Sequence, residues 1–259
     1  MHGLSASIVS ALPYFLLASI RVSITFAALP APFGSGAPAT VRLLLGLLVS
    51  AILCFPYFDA RVPLSLDIVA LSQWGLCELL IGGVIGMTVR VMLAAAEIAG
   101  SVIGQVIGLG FASIVDPNHG DTVLPTTSIL GSLATTIFFA LGGHHALLAA
   151  LGQSFAVVPV AHELGAVAEF GVTQIGATMM ARGMQIASPV IATMFIVQLG
   201  TALASRAAPR VPLLAFSFSV VVAAGILALF VAAPSVGTAL RAELERVPEA
   251  LSMVVGVRR

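Results

Sequence analysis

The sequence predicts an all-α, membrane-associated protein built of helical hairpins, and three observations predict it. Hydrophobic residues fill 59% of the 259 positions and charged residues only 8%, with a mean hydropathy of +1.12. Water-soluble domains carry about 25% charged residues, so this chain lacks the charge to cover a solvent-facing surface. Long apolar runs alternate with short breaks of Pro, Gly or clustered polar residues. Within the runs, small residues recur four apart, which on a helix makes a smooth stripe where another backbone can approach closely.

The same composition excludes other classes. Net charge is zero, all eleven basic residues are Arg, and no basic patch points to nucleic acid. Cys54 and Cys77 lie in apolar segments without ligand spacing and read as small core residues. The first basic residue, Arg21, follows the first apolar run, so the N-terminus does not read as a secretory signal peptide.

In chain order, Leu4 to Leu29 predicts a first helix holding Pro13 and Arg21, ended by Pro30 and Pro32. Ala39 to Phe55 predicts a second, with Arg42 in its first turns. From Ile68 to Gly110 there is no proline over 43 residues, about 65 Å of straight helix against a hydrocarbon core of about 30 Å. This run is two helices bent near Gly82-Gly83 or Arg90, or one helix much longer than a bilayer. Thr126 to Leu141 and Ala146 to Val158 flank the turn Gly142-Gly143-His144-His145 as a helical hairpin. Gly171 to Ser205 is another long run, interrupted by Arg182 and Pro189. Leu213 to Ala233 is the cleanest spanning candidate, with no charge. The chain is expected to form a single membrane domain, 1–259. From 234 to 259, charges alternate with Leu240, Leu244, Val247 and Leu251 as in an amphipathic surface helix.

The charges conflict with a simple bundle of spans. Arginines lie on both sides of Leu213 to Ala233, whereas independent spans collect them on one side. Arg21, Glu78, Arg90, Glu97 and Arg182 fall inside apolar runs, and such groups face a protein interior or a wet cavity. Arg90 and Glu97 are seven apart and share nearly one helical face, compatible with an internal ion pair or, more sharply, a proton relay.

The stretch Gly100 to Pro125 carries the most information. Gly100, Gly104 and Gly108 form a small-residue stripe, and Gly82 and Gly86 form another. After Gly110 comes an apolar patch, Phe111 to Val115, and then the polar run Asp116-Pro117-Asn118-His119-Gly120-Asp121. Asp116-Pro117 is a turn signal. The segment is either a turn at the membrane surface or a loop whose apolar side chains seal a pore, as hydrophobic constrictions do. His144-His145 lacks the further ligands a metal site needs, and no nucleophile, base and acid can be assembled. No catalytic, cofactor or metal residues are assigned and no enzyme activity is expected.

The order of these features resembles the FliR family of type III export-gate proteins and their injectisome relatives. The carrying residues are Arg21 before Pro30 and Pro32; Arg42; Glu78, Gly82 and Gly86; Ala96-Glu97 and Gly100; Gln105, Gly108 and Gly110-Phe111-Ala112-Ser113 leading to Asp116-Pro117; Gly142-Gly143-His144; and Ser154-Phe155 with Pro159. After Arg206 and Pro209 the family continues with Gln and Asn, where this chain has Arg210 and Pro212. The Gly-Gly-His form resembles the flagellar branch. The resemblance implies one subunit of an export gate with FliP-like and FliQ-like partners, its fold like a fusion of those two smaller subunits. A FlhB-like switch protein would sit at the entrance, in the bacterial cytoplasmic membrane at the flagellar basal body. Unfolded substrates would pass, and a plug loop near 106–122 would close the channel. Phe111 and Ile114 would then be gasket side chains, Gly108 and Gly110 would let the loop move, and Asp116 and Pro117 would fix its end. Gly82, Gly86, Gly100 and Gly104 would pack against neighbouring subunits. The alternative is a polytopic transporter or permease using Glu78, Arg90 or Glu97 as substrate or proton ligands.

Overall fold

A computed structural model describes residues 2–29, 39–54, 67–110, 123–161, 175–207 and 213–255. Every described regular element is an α-helix: α1 (His2–Ala28), α2 (Ala39–Cys54), α3 (Ile68–Ile107), α4 (Pro125–Ala140), α5 (Gly143–Val157), α6 (Ile175–Ala207), α7 (Leu213–Leu244) and α8 (Val247–Val254). The stretch from Ile68 is one helix of 40 residues, about 60 Å long, with no break at Gly82-Gly83 or Arg90. Among the described residues, Ile68–Ile107, Met179–Arg206 and Phe218–Val254 are long and apolar enough to cross a membrane.

Proline does not divide these helices. Pro13, Pro189 and Pro234 all lie inside helices, so the expected boundary at Pro234 is absent and α7 runs on to Leu244. A proline in a helix interior costs about 3 kcal/mol, but ending a helix in apolar surroundings leaves several backbone groups without partners. At Pro189 the loss is repaired locally. The missing N–H would have met the Gln185 carbonyl, and Ser188 Oγ donates to that carbonyl instead, at 2.8 Å.

The chain divides into two compact units that interleave in sequence, the boundaries falling after Val91, Phe138, Gly176 and Glu245. The first holds α1, α2, α3 as far as Val91, α5 and α8. Helix α1 buries Tyr14, Leu17, Ala18, Arg21, Val22, Thr25 and Phe26, a stripe at the helical repeat. Gly82 and Gly86 of α3 receive this face: a Cβ on Gly82 would collide with the Arg21 carbonyl and Ile24, and one on Gly86 with Thr25 and Ala28. Thr25 Oγ1 donates to the Gly82 carbonyl across the contact, at 2.9 Å. Helix α8 packs on α5 through Val247, Leu251 and Val254, all buried.

The second unit holds α3 from Met92, α4 as far as Phe138, α6 and α7. Here α3 is the central element. Gly183 of α6 fits against Ala95 and Ile98, Gly225 of α7 fits against Ile107, and Gly100 and Gly104 of α3 itself fit against the start of α4. The stripe glycines were expected to face neighbouring subunits. In both units the space over them is filled by this chain's own helices, because the stripe and its complementary face lie on segments adjacent in the fold.

Gly82 gives a direct test of this packing. Replacing it with Ala is expected to destabilise the protein by about 1–3 kcal/mol, the cost of overpacking a close contact. Gly83→Ala is the control, since its Cβ would meet nothing within 4 Å. Thermal unfolding in detergent should separate the two variants.

Candidate functional site

Two constellations combine unusual polar chemistry with tight packing, one in each unit. In the first, the α1 stripe places Arg21 in an apolar interior, fully buried, facing an equally buried Glu78 on α3. Arg21 Nε donates to Glu78 Oε2 at 2.6 Å and one of its terminal nitrogens donates to Oε1 at 3.1 Å. This is the paired-fork geometry that makes Arg–carboxylate contacts strong. Arg21 also donates to Ser154 Oγ at 3.1 Å and to the Val158 carbonyl at 3.0 Å, and its guanidinium lies 4.3 Å from the centre of the Phe155 ring.

The backbone of Ala161 lies beside the same carboxylate. Ala161 has φ of 68°, a left-handed conformation that costs a non-glycine residue about 1 kcal/mol or more and persists where surrounding structure enforces it. Arg21 and Glu78 thus tie α1, α3 and the exit of α5 into one closed network. The sequence reading looked for partners of the internal charges along the 68–110 run. The structure pairs Glu78 instead with Arg21, fifty-seven residues away. Arg90 and Glu97 are both half-buried on α3, Arg90 in the first unit and Glu97 in the second, where the Glu97 side chain stands over Gly131.

The second constellation surrounds the end of α3. Gly108 has φ of +90°. Its N–H donates to the Gln105 carbonyl at 3.0 Å, and the Leu109 N–H reaches back to the Gly104 carbonyl at 2.9 Å, the bond pair of a Schellman stop. Gly108 therefore terminates the helix and does not extend the packing stripe, whereas Gly110 has open space around it. The start of α4 returns onto the same helix. Thr126 Oγ1 donates to the Gly100 carbonyl at 2.7 Å, with Leu124 and Thr126 over Gly104. The described residues on either side of 111–122 are thus both anchored to the last turns of α3. Phe111, Ile114, Asp116 and Pro117 of the expected plug lie outside the described residues.

The sequence gives no role to Thr126 or Gln198, and marks Ser154 only through the family resemblance. Gln198 Nε2 donates to the Val106 carbonyl in the last turn of α3, at 3.0 Å. An amide inside a long apolar run was the available signal for Gln198; a lone hydroxyl gave none for the other two. His144 and His145 stack at the Gly142 turn with ring centres 4.0 Å apart, and among the described residues no group of His, Cys, Asp or Glu could hold a metal ion.

Comparison with known proteins decides the family. Residues 12–247 match the family described as bacterial export proteins, family 1. The chain belongs to this family, the FliR family. It is 26% identical to the flagellar biosynthetic protein FliR of Bacillus subtilis over 236 residues, covering 87% of this chain and 88% of that one. It is 27% identical to FliR of Pectobacterium carotovorum over 191 residues, 73% of this chain and 72% of that one. It is 32% identical to the Yop proteins translocation protein T of Yersinia pestis over 136 residues, 51% and 52% of the two chains. With the apolar helices found among its described residues, this family member is a protein of the inner membrane.

The Arg21 network supplies a stability test. Arg21→Leu leaves the Glu78 carboxylate buried without its partner and is expected to cost about 3–5 kcal/mol, whereas Arg21→Leu combined with Glu78→Leu should cost much less. Protein level in membranes and unfolding temperature in detergent both report the difference.

Proposed function

We propose that this chain is a channel subunit of the type III export gate, in its flagellar form, and that it passes unfolded substrates across the cytoplasmic membrane. As a family member it is a component of a multi-subunit export apparatus. The finer reading assigns it FliP-like and FliQ-like partners, a FlhB-like switch protein at the entrance, and a place at the flagellar basal body. The segment near 106–122 would be the plug, with Phe111 and Ile114 excluding water and small ions.

The observation that carries this reading lies on either side of that segment. Thr126 bonded to Gly100 and the stop at Gly108 anchor the residues that border an apolar stretch to the last turns of a 40-residue helix. A plug needs such a mount, because apolar side chains seal only where their position is fixed. The transporter alternative is disfavoured by the first unit. It gives Glu78 a substrate or proton to hold, yet the carboxylate is already enclosed with Arg21. No catalytic role is assigned.

The test is Phe111→Ala combined with Ile114→Ala, in cells that assemble the complete apparatus. Small-ion influx should rise several-fold while the amount of assembled complex stays constant. Wild-type influx through the assembled double variant would sink the plug assignment.

A further inference from the structure

Between α6 and α7, within the second unit, lies a groove of about 410 Å³. Pro189, Thr193 and Val197 of α6 line it, with Ala224, Ala228 and Ser235 of α7. Both helices contain stretches apolar enough to cross a membrane. The two hydroxyls of the lining are already used inside their own helices. Thr193 Oγ1 donates to the Pro189 carbonyl at 2.9 Å, and Ser235 Oγ to the Ala232 carbonyl at 2.7 Å. They call for no polar ligand, so the occupant that fits the groove is hydrocarbon. From Pro189 to Val197 the groove runs about 12 Å, and a helix of that length, about 10 Å across, would fill about 900 Å³. The space takes one flexible chain and not a helix.

One end of the groove is charged. Arg182 precedes Pro189 by two helical turns on the same face of α6, about 10 Å away. Its Nε faces Glu243 Oε2 of α7 at 3.5 Å, and a terminal nitrogen donates to Gln185 Oε1, also at 3.5 Å. Both contacts are longer than the usual range of about 2.7–3.2 Å. The guanidinium has five N–H groups to give, and 35% of the Arg182 side chain is exposed. Nearby Arg241 is engaged more closely, with Glu245 at 2.8 Å. A loose cation–anion pair at the mouth of an apolar groove matches a zwitterion carried on an acyl chain. We propose that the groove binds one membrane phospholipid with a phosphoethanolamine headgroup. Its acyl chain lies between α6 and α7, its phosphate on Arg182 and its ammonium on Glu243. Arg suits the phosphate because its fork of donors meets two oxygens at once. A choline headgroup has no N–H for Glu243 to accept, and a glycerol headgroup has no positive charge, so both bind more weakly.

The experiment uses the full chain, purified with the membrane proteins that accompany it. It is placed in nanodiscs of equal parts phosphatidylethanolamine, phosphatidylcholine and phosphatidylglycerol. Lipid that stays bound after transfer to detergent is weighed by native mass spectrometry. Phosphatidylethanolamine should be retained about tenfold over each of the others, the discrimination that one charge-assisted hydrogen bond supplies. Arg182→Gln should lower its retention by about tenfold for the same reason, and Glu243→Gln should erase the preference over phosphatidylcholine. Thr193→Phe fills the groove from an exposed position and should lose all three lipids. Phe195→Ala, exposed on the same helix but outside the lining, should retain lipid as the wild type does. Equal retention of the three lipids by the wild type would overturn the site, as would undiminished retention in Thr193→Phe. Where a charge variant fails to assemble, Thr193→Phe and the selectivity of the wild type decide. A photo-crosslinking residue at position 193 tests the other occupant: an adduct of lipid mass supports the site, and an adduct with a neighbouring protein chain overturns it.

Discussion

Polar groups inside these apolar helices have few charged neighbours to turn to, so they find partners among the chain's own atoms wherever the fold brings one near. An unpaired amide or carbonyl in hydrocarbon costs several kcal/mol, more than most packing differences. That requirement sets the choices seen throughout. Ser188 covers the carbonyl that Pro189 leaves open. The end of α3 is closed by two backbone bonds and one side-chain amide. Arg21 and Glu78 neutralise each other deep in the first unit, and Arg21 gives further donors to Ser154 and Val158. A buried ion pair of this kind adds little net stability over an apolar replacement, but it is very costly to half-remove. Its effect is to fix one arrangement: α1, α3 and the exit of α5 have one register in which every one of these groups is satisfied.

The helical class, the membrane setting and most helix positions were legible in the sequence, because hydropathy and helical repeat depend on local composition. What was not legible follows from distance along the chain. Arg21 and Glu78 were both recognised as charges in apolar runs, but their pairing joins α1 to α3 and leaves no local mark. The available sign was weaker: Arg21 shares a face with Leu17, Ala18, Val22 and Thr25, so it had to point inward with them. Pro234 misled for the opposite reason. Proline is a reliable stop where water can take over the freed carbonyls, and an unreliable one where nothing can.

Glycine spacing was read correctly as a close-approach signal and then assigned too uniformly. Gly82 and Gly86 admit α1, and Gly100 and Gly104 admit α4, all within one chain. Gly108 continues the same four-residue spacing but has a positive φ and ends the helix. Spacing identifies a face on a helix. It cannot say whether the helix is still present at the next repeat, which depends on where the carbonyls of the last turn find donors.

The gate proposed above follows from the same accounting. A loop of this length with free ends would be brought to one position at an entropic cost of about 2 kcal/mol, comparable to the energy available from one or two apolar side chains. The residues on either side of 111–122 are anchored through Gly100 and Thr126, which on the proposed reading would remove much of that cost before Phe111 and Ile114 make any contact. A seal of two residues would then be enough to close the proposed channel, and weak enough to yield when an unfolded chain competes for the same apolar surface.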